Sequence, residues 1–105
     1  MEKRYSEMNK TELQNEIADL HAKAQKAEQM GMVSEFAVYE RKIMMAKSYM
    51  MDPALFDPGK TYGVEGDPGS SFKILYMNGI FAWGYRDESQ ELEAFPIAML
   101  QQPGQ

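Results

Sequence analysis

Phe72-Lys73-Ile74-Leu75-Tyr76-Met77-Asn78-Gly79-Ile80-Phe81-Ala82-Trp83-Gly84-Tyr85 is the stretch that decides the fold. Two apolar runs meet at Asn78-Gly79, the dipeptide that best tolerates the positive φ angles a type I′ turn needs at both central positions. The stretch is therefore read as a β-hairpin. A two-residue Asn-Gly loop sets Met77 opposite Ile80, Tyr76 opposite Phe81, Leu75 opposite Ala82 and Ile74 opposite Trp83. One face then carries Phe72, Ile74, Tyr76, Phe81, Trp83 and Tyr85, and the other carries Lys73, Leu75, Met77, Ile80, Ala82 and Gly84. Neither face is polar. The compact face suits the interior of a tight barrel, and the aromatic face needs a cover of its own.

Working outward, Thr61-Tyr62-Gly63-Val64-Glu65 reads as a short strand before the hairpin. Gly66-Asp67-Pro68-Gly69-Ser70-Ser71 reads as a polar turn cluster. After the loop from Asp87 to Gln90, Leu92 to Ile97 forms a fourth strand that Pro96 keeps near an edge. Ile97 to Leu100 makes a short turn or final strand, and Gln101 to Gln105 is a frayed tail. Four or five short strands in so few residues predict a small, strongly bent barrel. Asp52-Pro53 through Pro58-Gly59 is a connector with two Asp-Pro turns and room for one helical turn between them.

The first half has helical periodicity. Asn9-Lys10-Thr11-Glu12 is a capping-box start, with Ser6 as an alternative cap. Leu13, Ile17, Leu20, Ala24 and Ala27 follow at spacings of four and three, and Gly31 ends the helix. A second helix runs from Val33 or Ser34 to about Met51, stopped by Asp52-Pro53. Its stripe of Phe36, Tyr39, Ile43, Ala46 and Met50 mirrors the first across Gly31, so an antiparallel hairpin sets Ala27 on Phe36, Ala24 on Tyr39, Leu20 on Ile43, Ile17 on Ala46 and Leu13 on Met50. Most layers oppose a large residue to a small one, as close packing favours. Val33, Ala37, Met44 and Met51 form a second stripe on this helix, and Val38, Met45 and Tyr49 a third. A helix apolar on several sides is expected to be buried on several sides.

The expected architecture is α+β: an N-terminal antiparallel helical hairpin over residues 1–53, then a small SH3-like β-barrel over 54–105. The two are expected to pack together as one compact unit, the spare stripe of the second helix covering the aromatic sheet face.

At 105 residues with a net charge of −5, the chain suits one domain or two small subdomains. Residues 1–53 are close to neutral. From Ala54 onward Lys60, Lys73 and Arg86 face Asp57, Glu65, Asp67, Asp87, Glu88, Glu91 and Glu93, a balance that repels phosphate backbones. No apolar run is long enough to cross a bilayer, no apolar core follows the basic residues at the N-terminus, and cysteine is absent. A cytoplasmic address is the expectation.

The chain resembles the YfhH family of small bacterial proteins, known mainly from Bacillus and its relatives. The residues that carry the resemblance are Met1-Glu2-Lys3-Arg4-Tyr5-Ser6, Ala24-x-x-Ala27-Glu28-Gln29 and Glu40-Arg41-Lys42-Ile43-x-Met45-Ala46-Lys47. They continue in Pro58-Gly59-x-Thr61-Tyr62, in Tyr76-x-Asn78-Gly79-x-Phe81-Ala82-Trp83-Gly84-Tyr85-Arg86 and in Pro96-Ile97-x-Met99-Leu100. The resemblance implies a helical hairpin followed by an SH3-like barrel. It brings no catalytic or ligand residues, because the family is one of unknown function; some members carry the label of transcriptional regulator.

Candidate chemistry is sparse. His21 is the single histidine and lies off the packing seam, and a zinc site needs several N or S ligands. Glu88, Glu91 and Glu93 read as a solvated loop, the glycines lack a phosphate-loop or dinucleotide pattern, and Ser70 and Ser71 have no histidine nearby in sequence. No catalytic, metal or cofactor site is expected, and the chain is not read as an enzyme. The ten methionines read as filling for the second helix before they read as a binding surface. The basic residues of the first half are interleaved with glutamates and read as a solvated face. One set stands out: Tyr62, Tyr76, Phe81, Trp83 and Tyr85. It packs against the rest of the chain, or it forms a surface for a protein partner or a second copy. A non-catalytic interaction module, working through a protein partner or as a homodimer, is the preferred function; a nucleic-acid-associated regulator is the alternative, which the acidic sheet half opposes.

Overall fold

The computed structural model describes residues 3–102. The chain divides into two compact units, with the boundary between Met50 and Met51. The first contains α1 (Lys10–Gln29) and α2 (Val33–Ser48), preceded by a 3-10 turn at Tyr5–Glu7. The second contains β1 (Thr61–Val64), β2 (Asp67–Asn78), β3 (Phe81–Arg86), β4 (Glu93–Pro96) and β5 (Leu100–Gln101), with 3-10 turns at Pro53–Leu55 and Ile97–Met99.

In the helical unit, local chemistry sets both ends of α1. Asn9 Oδ1 accepts from the Glu12 backbone N–H at 2.8 Å, and Glu12 Oε1 accepts from the Asn9 backbone N–H at 3.0 Å. This reciprocal box satisfies two donors that the first helical turn leaves over. At the other end Gly31 adopts φ +71°, Met32 N–H donates to Ala27 O at 2.9 Å and Gly31 N–H donates to Glu28 O at 3.1 Å. That is the Schellman pattern, and it turns the chain directly into α2. Leu20, Ala24 and Ile43 are buried together with Ile17, Phe36 and Tyr39 packed on them, as the antiparallel seam predicts.

Two expectations for α2 are corrected. It ends at Ser48, three residues early, where the Ser48 hydroxyl donates to Met44 O at 2.8 Å. Its spare apolar sides are also not uniformly buried. Met44, Met45 and Tyr49 are half-buried, whereas Val33, Ala37 and Val38 are exposed.

The sheet is antiparallel throughout, in the order β4-β3-β2-β1-β5. It curls around Phe56, Tyr62, Val64, Phe72, Ile74, Ala82, Ile97 and Leu100. Of the polar cluster expected to be a turn, Gly66 to Ser71, Gly66 lies in a turn, whereas residues 67–71 open the long strand β2. Gly63 pairs with Ser71 and Val64 with Asp67, so residues 68–70 bulge out of the ladder. Pro68 has no N–H to donate, and Gly69 at φ +92° bends the strand there. Gln101 pairs with Gly63 in β5; the rest of the tail expected to fray lies, beyond Gln102, outside the described residues.

The central hairpin forms, but in a different register. Asn78 pairs with Phe81, Met77 with Ala82 and Tyr76 with Trp83. The loop residues are Gly79 and Ile80, and only Gly79, at φ +61°, takes a positive φ. Glycine alone at the first central position is the II′ arrangement, not I′. Packing overrides the Asn-Gly preference: Ile80 is buried, and its carbonyl accepts from Ile97 N–H at 3.0 Å.

A second shift follows within β2. Ile74 pairs with Gly84 and Tyr76 with Trp83, which leaves Leu75 as an extra residue. A bulge of this kind reverses which side the rest of the strand faces. Phe72 and Ile74 therefore turn inward with Met77, Ala82 and Gly84, and Lys73, Leu75 and Tyr76 face out. Both faces still carry apolar side chains, but burial alternates, with β3 reading half-buried, buried, half-buried, buried from Phe81 to Gly84.

Candidate functional site

The outer face of the β2–β3 hairpin is the surface that the aromatic residues build. Tyr76 and Trp83 occupy paired positions, and their rings stack with centroids 6.0 Å apart and planes 6° from parallel. Leu75 stands beside them at 54% exposure and Tyr76 at 42%. Pairing with β4 sets Ala94 next to Trp83 and Pro96 next to Phe81 on the same face. Tyr85 lies one step along β3, opposite Lys73. A large flat ring pair beside an exposed leucine offers apolar area with little side-chain entropy to lose on contact.

Four of the five residues in the aromatic set, Tyr76, Phe81, Trp83 and Tyr85, share this face. Tyr62 does not. It is 2% exposed, packed on Phe56 with ring centroids 5.3 Å apart, and its hydroxyl accepts from Asp57 N–H at 2.8 Å. Tyr62 pairs with Phe72 on the inner side of the sheet, so it is a core residue that ties the connector down.

Leu75 is one surface residue that strand alternation groups wrongly, on the side away from Tyr76; the bulge, set by contacts distant in sequence, leaves both facing out. Arg86 is the other. It pairs with Phe72, its guanidinium carbon lies 5.0 Å from the centroid of Phe95, and its terminal nitrogens approach Asp67 at 3.6 Å and Glu93 at 3.7 Å. Glu93 thus belongs to a clasp at the sheet's rim, while Glu88 and Glu91 are exposed.

Elsewhere the titratable groups form simple surface pairs. Lys3 with Glu12, Lys23 with Asp19 and Lys60 with Asp57 lie 2.8, 3.0 and 3.0 Å apart. Hydrogen bonds to these carboxylates hold the three lysines above their ordinary values. His21 is exposed, and among the described residues no group of three or more His, Cys, Asp or Glu converges on one point. Among the described residues no helix is long and apolar enough to cross a membrane.

The comparisons with known proteins agree with the resemblance read from the motifs. A family described as "Protein of unknown function (DUF1811)" matches residues 3–101. The uncharacterized protein YfhH of Bacillus subtilis (strain 168) is 55% identical over 103 residues, covering 97% of this chain and 98% of the relative. The chain belongs to this family.

Proposed function

We propose that this member of the DUF1811 family is a non-catalytic protein-interaction module of the cytoplasm, working through the outer face of its β2–β3 hairpin. The observation that carries this reading is the stacked Tyr76–Trp83 pair with Leu75 and Tyr76 open to solvent. Scattered single apolar residues are ordinary on a surface; a stacked aromatic pair flanked by an exposed leucine is the composition of an interface centre. The strand order, with a 3-10 turn between β4 and β5, supports an SH3-like barrel as the scaffold that presents it.

The test is affinity capture of the intact protein from its native cell, compared with Leu75→Ser and Tyr76→Ser. Both residues are exposed, so both variants keep the fold, which circular dichroism checks. Loss of the same captured protein from both variants supports this function. An unchanged set of captured proteins overturns it.

A further inference from the structure

Three side chains on α2 stand out once its packing is known. Glu35, Val38 and Lys42 project within about 60° of one another around the helix, at about 60°, 120° and 80° from the centre of the seam with α1. With Ser34 and Tyr39 they line a hollow of about 250 Å³. Val38 begins the helix's third apolar stripe. At the far end of that stripe the Tyr49 ring meets the Tyr5 ring edge-on, with centroids 6.5 Å apart. Val38 itself remains 51% exposed.

Charges stand on either side of Val38. Lys3, Lys23, Lys60 and Arg86 each meet a carboxylate, whereas Glu35 and Lys42, like several other surface charges, take part in no ion pair among the described residues. The positions three and four residues from each are uncharged. The two are seven residues apart, about 10.5 Å along the axis, too far to meet each other.

A second copy of the same helix has the matching charges. A two-fold axis perpendicular to α2, passing between Val38 and Tyr39, sets the helices antiparallel. Glu35 of each copy then lies against Lys42 of the other, and the Val38 side chains cover one another between two reciprocal ion pairs. Such self-complementarity is what an isologous interface requires.

We infer that the Glu35–Val38–Lys42 face of α2 is a homodimer interface, occupied by the same face of a second copy of this chain. It lies on the helical unit and shares no residue with the hairpin surface.

Charge reversal tests this on the full chain. A contact of one helix face lies at the small end of interfaces, so sedimentation equilibrium is read between about 10 μM and about 1 mM. The wild type is expected to show a monomer–dimer equilibrium that weakens as salt rises. Glu35→Lys alone and Lys42→Glu alone each set like charges face to face, and each is expected to weaken association about tenfold or more. Mixing the two single variants restores complementary pairs and therefore the dimer, as does the double exchange Glu35→Lys with Lys42→Glu. Both positions are exposed, and unchanged helicity by circular dichroism confirms the fold. A wild type that stays monomeric at every concentration overturns the inference. So does a dimer indifferent to the single reversals, or one that neither the mixture nor the double exchange restores.

Discussion

Trp83 stacks on Tyr76 because Leu75 is one residue too many for the strand it sits in. The extra residue turns Tyr76 outward, while Ile74 on its other side packs into the sheet's core at 1% exposure. Inner packing and outer surface therefore depend on the same local irregularity.

Neighbouring residues of similar size should consequently behave very differently. Ile74→Ala is expected to cost about 2–5 kcal/mol, while Leu75→Ala stays within about 1 kcal/mol. Urea unfolding followed by Trp83 fluorescence reads both, since Trp83 is the single tryptophan and lies in β3. A larger loss at Leu75 than at Ile74 would mean that β2 runs without the bulge.

Gly84 lies directly across from the same irregularity. A Cβ at this position would overlap the Lys73 carbonyl oxygen and lie 2.9 Å from its carbon and 3.1 Å from Ile74 Cα. Backbone cannot swing aside as a side-chain tip can, so Gly84→Ala should destabilise the sheet by about 2–4 kcal/mol. The control is Gly63→Ala, whose nearest contacts are to the Gln101 side chain at 3.4 and 3.5 Å. Equal effects of the two substitutions in the same unfolding assay would contradict the close approach.

Tyr62 offers a test of a single hydroxyl. Removing it leaves the Asp57 N–H without its acceptor while the ring still fills its place against Phe56. Tyr62→Phe is expected to cost about 1–3 kcal/mol, the penalty of an orphaned and partly buried donor. Amide hydrogen exchange at Asp57 should quicken at the same time. Unchanged stability together with unchanged exchange at Asp57 would rule out this role.

At the start of α1, Glu12 accepts from Lys3 Nζ at 2.8 Å and from the Asn9 N–H at 3.0 Å. These bonds, the one from Lys3 foremost, hold its carboxyl below the ordinary value. A lowered folded-state value contributes stability above the unfolded pKa, and that contribution is lost as pH falls through the folded one. Glu12→Gln should therefore lower the melting temperature near neutral pH, and the difference from wild type should vanish below the carboxylate range. A deficit of the same size at both pH values would show that the charge is not the cause.

The helical hairpin is legible in the sequence because its determinants are local. Spacing alone marks Leu13, Leu20, Ala24, Ala27, Ile43 and Ala46, all of them buried, and Asn9, Glu12 and Gly31 end α1 by contacts within a few residues. The sheet is legible as strands and much less so as a register. Asn78-Gly79 marks a hairpin, but where the loop falls depends on burying Ile80 and on its bond to Ile97, seventeen residues away. The bulge at Leu75 goes with the approach of Gly84 to Lys73 across the ladder, which no pattern within β2 announces. For the same reason Tyr76, Phe81, Trp83 and Tyr85 can be grouped from alternation, while Tyr62 enters the group only because it is aromatic.

The most direct test of the hairpin face as an interaction surface is photo-crosslinking in living cells. A photoreactive phenylalanine analogue replaces Tyr76, and in a second strain it replaces His21, which is also exposed, on α1. A discrete crosslinked protein from position 76 that is absent from position 21 is the expected result. No crosslink from position 76, or the same products from both positions, would contradict the assignment of the Tyr76–Trp83 face as the surface through which this protein works.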